Sequence, residues 1–207
     1  MNPVKLAILT IFHPLDGFPM IRSDRENFSL IPPTIITILF FVVRIVSIYV
    51  MHYPIASADP HQVNLAMEVF VLLLPMASWV VVHHAITTIS DGECKTMEVF
   101  AGLAYSLVPY VLFTLPIALF SNLYSATSAG TISFLQLVVL VWTGFQIVVS
   151  IKAMNDYTVA KTIGIILITI IGILLCWVLI LIFYALTGQL IDFAITLVKE
   201  FVMIYIG

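Results

Sequence analysis

Five apolar runs, each about as long as a bilayer core is thick, dominate this chain of 207 residues and leave too little polar sequence to enclose a water-soluble core. Only 9% of its residues are charged and 62% are hydrophobic, whereas an ordinary globular domain carries roughly 25% charged residues. The mean hydropathy of +1.16 agrees. The expected fold class is therefore all-α: a polytopic membrane helix bundle in contact with the lipid bilayer. Residues 1–207 form one domain, because no polar or Pro/Gly-rich stretch is long enough to separate a second. Within it, residues 1–31 read as a cytoplasmic or interfacial N-terminal segment and residues 189–206 as an amphipathic tail.

Uninterrupted apolarity places the spans near Pro32–Met51, Leu65–Ile86, Val99–Asn122, Ile132–Met154 and Thr162–Leu186. Each is long enough to cross about 30 Å at a rise of about 1.5 Å per residue. Pro32 and Pro33 suit a helix start, while Pro75, Pro109 and Pro116 fall inside spans two and three and should kink them. Lys and Arg set the orientation. Lys5, Arg22, Arg25, Lys95, Lys152 and Lys161 fall on one side of an alternating five-helix bundle, and the loops His52–Asn64 and Leu123–Thr131 on the other side have neither residue type. The expected topology is an N-terminus in the cytoplasm and a C-terminus outside.

Both ends carry short helical signals. Leu6–Phe12 is too short to span and is followed by His13-Pro14-Leu15-Asp16 instead of a small-residue cleavage site, so it should lie along the interface or pack beneath the bundle. Asp192, Thr196, Lys199, Glu200 and Met203 recur on one helical face amid apolar neighbours. That tail is either an amphipathic helix on the outer surface, the preferred placement, or a short sixth span that returns the C-terminus to the cytoplasm.

Arg44 is the most conspicuous polar residue, since an arginine at mid-helix costs about 2.5–3.5 kcal/mol on insertion scales. Glu68, near the outer end of span two, is within reach of a snorkelling Arg44, and the pair reads first as an interhelical strut and second as a site for a substrate or lipid headgroup. His83 and His84 point about 100° apart on a helix and cannot readily share one ion, so they read as interfacial histidines with no metal. Cys94 and Cys176 fall at different depths, and no disulfide or cofactor is expected. Asn27-Phe28-Ser29 matches a glycosylation acceptor but lies on the expected cytoplasmic side. The common catalytic signatures are missing, and an enzyme would need a cluster assembled from distant residues such as His83, Asp91 and Asp156. No basic run offers a surface for nucleic acid. Gly164 with Gly172, and Ala101, Gly102 and Ala104, thin two helix faces enough for close packing within the bundle or against a partner helix.

The stretch Asp91-Gly92-Glu93-Cys94-Lys95-Thr96-Met97-Glu98-Val99-Phe100, leading to Ala104-Tyr105-Ser106-Leu107-Val108-Pro109-Tyr110, resembles the Yip1 family of membrane proteins. In that family a cytoplasmic Asp/Gly loop leads into a third helix with an Ala-Tyr-Ser-x-x-Pro-Tyr pattern. His13-Pro14-Leu15-Asp16-Gly17-Phe18 with Arg22 and Arg25, and Ala153-Met154-Asn155-Asp156-Tyr157-Thr158 with Lys161, resemble its bacterial branch. The residues singled out are therefore Asp91, Gly92, Glu98, Tyr105, Pro109 and Tyr110 in the loop and third helix, and Asn155, Asp156 and Lys161 before the last span. Read physically, Asp91-Gly92 permits a turn with positive φ, Glu98 suits a helix start, and Tyr105 and Tyr110 face different directions.

Eukaryotic members of that family act in vesicle trafficking through a long N-terminal region containing Asp-Leu-Tyr-Gly-Pro, which residues 1–31 lack, so that role is not carried over. The short form resembles proteins of the bacterial cell membrane that accompany transport systems. The leading expectation is a non-enzymatic membrane protein that binds other membrane proteins, as an accessory subunit of a transport system, with homo-oligomers also open. The alternative is a small transporter or lipid-handling protein using Arg44 and Glu68.

Overall fold

The structure, a computed structural model, describes residues 2–24, 28–51, 63–123 and 129–206, with side chains described as far as residue 201. Arg25, Asn27 and most of the two loops without Lys or Arg lie outside the described residues. All regular structure among the described residues is helical, and five stretches are long and apolar enough to cross a membrane.

Two short helices come first, α1 (Pro3–Phe12) and α2 (Pro14–Ser23). The Asn2 side chain caps α1 by accepting from the Val4 amide at 3.1 Å. The helix ends at His13 because a residue before proline is pushed out of the helical region, and His13 sits at φ −132°, ψ 65°. The two helices fold closely on one another at Gly17, where a Cβ would come within 3.0 Å of the Thr10 backbone. They pack into the bundle: Phe18 and Ile21 are fully buried, and Gln146 donates to the Ile11 carbonyl at 3.2 Å. Gln146 lies about 14 Å before the end of its helix, so α1 reaches well into the bundle.

The first span is α3 (Ile31–Val50), opened by Pro32 and Pro33, which lack only amides that a first helical turn leaves unpaired. The second is α4 (Leu65–Ile89), capped by Asn64, whose side chain accepts from the Met67 amide. The third is two helices, α5 (Thr96–Ser106) and α6 (Val108–Ser121), broken at Leu107. Pro109 has no amide and its ring would clash with the Tyr105 carbonyl, so the expected kink becomes a break. The fourth is α7 (Ala129–Asn155). The last helix, α8 (Val159–Ile206), runs unbroken for 48 residues.

Helix α5 is the centre of the packing, with its residues from Ala101 to Ser106 all buried and α1, α2, α3, α4 and α7 against it. The thin face at Gly102 is filled from inside the molecule by Met154 and Ser150, and Gly172 is filled by Val82 and Ile86 of α4. Only Gly164 of the expected thin positions has nothing within 4 Å.

The expected last span, ending near Leu186, and the tail from 189 are one helix, with no turn between them. Gly188 alone does not stop it, because a glycine costs only about 1 kcal/mol in a helix and no proline follows. At about 72 Å, α8 is more than twice as long as a hydrocarbon core is thick. The Trp177 indole donates to Ser78 Oγ at 2.9 Å and ties the first half of α8 to α4. From Val178 onward every described side chain is exposed.

Candidate functional site

Two groups of polar residues stand out, one at each end of the bundle. At the end remote from α1 and α2, Arg44 lies about 9 Å before the end of α3 and Glu68 in the first turn of α4, where the helix dipole favours a carboxylate. Arg44 Nε and Nη2 donate to the same Glu68 oxygen at 3.3 and 3.2 Å. Both side chains are about a third exposed, which places the pair at the bundle's side rather than in its core. Beside Arg44 is a cavity of about 150 Å³ between α3, α6 and α7, lined also by Ser47, Met51, Tyr110, Thr114 and Gln136. Tyr110 is held there by Phe40, with ring centroids 4.9 Å apart. Tyr105, by contrast, is only 2% exposed within the main core cluster. The two tyrosines do have different surroundings, and the break at Leu107 separates them.

At the other end, three segments far apart in sequence meet on Arg22. Its Nη1 donates to the Met154 carbonyl at 2.9 Å and to Asp156 at 3.0 Å, and its Nη2 pairs with Glu93. Cys94 Sγ lies 3.4 Å from the same Met154 carbonyl, so the open end of α7 is closed by residues from α2 and the loop after α4. Asp91 and Asp156 are the described non-glycine residues with positive φ, at 56° and 51°, and they end α4 and α7 respectively. The positive φ is thus at Asp91 and not at Gly92. Gly92 is needed for room instead: a Cβ there would come 2.6 Å from Tyr157 Oη and 2.7 Å from the Thr87 carbonyl. Tyr157 donates to the Ser90 carbonyl at 3.1 Å, and Lys161 Nζ sits 4.3 Å over its ring. Burial raises the Tyr157 phenol above its ordinary pKa, helped by Cys94 and Asp91 nearby. Glu98 is buried and accepts from the Lys95 amide at 3.0 Å, fixing the start of α5. Asn155 donates to the Ile151 carbonyl, while its buried Oδ1 has no partner among the described residues.

The histidines differ from the sequence expectation. His83 is 2% exposed, stacked on Trp79 and 3.1 Å from Thr169 Oγ1, so it is a core residue joining α4 to α8 and not an interfacial one. It is buried because α8 covers that face of α4, which local sequence does not reveal. His83 and Asp156 therefore have separate partners, Thr169 and Arg22. Among the described residues no group of three His, Cys, Asp or Glu side chains could hold a metal ion.

The family model of the Yip1 domain matches residues 8–182. The chain belongs to the Yip1 family. It is a multi-pass membrane protein, as are the family's members, and the match takes in α2 through α7, the Arg22 junction and the Arg44 cavity. The Yip1 match ends at residue 182, close to where α8 leaves the bundle. No curated protein and no solved structure matches the chain.

The residue that sequence reasoning undervalued is Arg22, which counted there toward orientation and the family resemblance but not as a contact. Its proximity to Asp156 and Glu93 depends on α2 folding back against α7, and the one local signal was an arginine in the last turn of a short helix.

Proposed function

We propose that this protein is a non-enzymatic membrane component that binds another membrane protein, as an accessory subunit of a transport system. The observation that carries this reading is the second half of α8. Beyond the length that one bilayer covers it presents exposed Leu186, Leu190, Phe193 and Leu197, an apolar surface of the kind that marks an interaction site when it is left bare. Lipid can cover about the first 25 residues of α8, but the helix continues well past one bilayer thickness. A partner helix satisfies the remainder. The internal filling of Gly102 and Gly172 supports the same assignment, since the thin faces are already occupied and α8 is left as the docking element.

The proposed orientation follows the charge. Lys95, Lys152 and Lys161 lie at the end held together by Arg22, which makes that face cytoplasmic and the end of α8 external, in the cell membrane of a bacterium. A role as a small transporter has one observation in its favour, the polar cavity beside Arg44. Between that cavity and the opposite face, however, lies the packed core of Tyr105, Val108 and Val149.

Copurification in mild detergent tests the proposal. The full chain is expected to bring down one membrane protein in fixed proportion, and Phe193→Arg is expected to lose it while keeping the chain's own thermal stability. A chain that emerges alone in both forms contradicts the reading.

A further inference from the structure

We infer that the cavity between α3, α6 and α7 is a binding site for a small oxyanion of the phosphate class, supplied either by a phospholipid headgroup or by free phosphate. This inference stands apart from the partner reading and does not depend on it. Four residues that carry hydrogen-bond donors, Arg44, Tyr110, Thr114 and Gln136, line one space of about 150 Å³, and its one strong side-chain acceptor is Gln136 Oε1. Glu68 takes Nε and Nη2 of Arg44, so Nη1 has no partner among the described residues. The Thr114 and Tyr110 hydroxyls likewise have none there, although Thr114 is only 7% exposed. Gln136 Nε2 has only the Met51 sulfur at 3.5 Å, a weak acceptor.

These donors are open to the cavity rather than sealed in the core, so they are free to meet an incoming group, and an oxyanion supplies several acceptor lone pairs to one point. A guanidinium, an amide and two hydroxyls are all donors toward such a group, and no carboxylate lines the cavity itself. Its depth fits a headgroup. Arg44 lies about 9 Å inside the end of α3, and Gln136 about 10 Å inside the start of α7, so the donors sit in the outer third of the span, within side-chain reach of a headgroup. Ile48, Ile117, Val139 and Leu140 form the apolar part of the wall.

Glu68 makes the inference testable through the sign of its effect. With Glu68 in place, an incoming anion meets a neutral pair and is repelled by the carboxylate behind it. Glu68→Gln leaves Arg44 unneutralised and should tighten binding, whereas Arg44→Gln should abolish it. A purely structural strut makes both substitutions damaging in the same direction.

The full chain, purified in mild detergent, is loaded with phosphatidylglycerol or phosphatidylcholine and the retained lipid is counted by native mass spectrometry, with inorganic phosphate added as competitor. Retention of one phospholipid is expected to fall at least about tenfold in Arg44→Gln and a few-fold in Gln136→Leu, which leaves the ion pair intact, and to rise in Glu68→Gln. Displacement by inorganic phosphate assigns the site to the free anion, and retention in its presence assigns it to the headgroup. Lipid and phosphate binding unchanged by Arg44→Gln and Gln136→Leu, or weakened equally by Arg44→Gln and Glu68→Gln, overturns the inference.

Discussion

At Gly92 the limiting quantity is space. The Tyr157 hydroxyl and the Thr87 carbonyl occupy the place a Cβ would need, and a backbone carbonyl cannot swing aside as a long side chain can. Gly92→Ala should therefore destabilise the detergent-solubilised protein by about 1–3 kcal/mol, read as a lower Tm. Gly164→Ala, where nothing lies within 4 Å, should leave Tm unchanged or raise it, since alanine is the better helix former by about 1 kcal/mol. Equal losses at the two positions would contradict this account. Residues differ in how far their sequence announces their role. Arg44 and Glu68 could be paired in advance because a charge inside a span demands a partner and helical rise brings few candidates to its level. The cavity beside them could not be foreseen, since its walls come from α6 and α7 and depend on where Pro109 breaks the third span. The burial of His83 could not be foreseen for the same kind of reason: it comes from contact with Thr169 of α8, 86 residues further on.

Among the elements, α1 and α2 are held by apolar packing and by the contacts of Arg22. Neither is long, but together they bury Phe18 and Ile21 and are held to the ends of α4 and α7 through Arg22. Glu93 and Asp156 are more than half exposed, so those ion pairs each contribute at most about 1 kcal/mol, and the hydrogen bond to the Met154 carbonyl matters more. Arg22→Gln should raise amide hydrogen exchange in residues 3–23 and 154–157 while leaving α3 and α4 unchanged. Uniformly unchanged exchange would show that apolar packing alone holds the two helices. The first four spans were legible to within about three residues at each end, because bilayer thickness and apolarity select them with little help from tertiary contacts. The length of α8 was not. Its composition changes near Gly188 from wholly apolar to amphipathic, which reads as a boundary, yet the backbone ladder has no physical reason to stop there.

At the scale of the molecule, the bundle is closed on itself around α5, while α8 leaves it. Residues 8–182 are the part shared with the Yip1 family, and the exposed half of α8 lies almost wholly beyond them. The bundle thus supplies an anchor, and α8 extends from it as a rod on which the described side chains from Val178 to Phe201 are all exposed. The central claim is that another membrane protein covers it. The most direct measurement is site-specific photocrosslinking in native membranes from position 193 on that rod, with position 18, buried inside the bundle, as the control. A photoreactive group at 193 should capture one defined membrane protein, and one at 18 should yield only crosslinks within the chain. Adducts with lipid alone at 193 would contradict it.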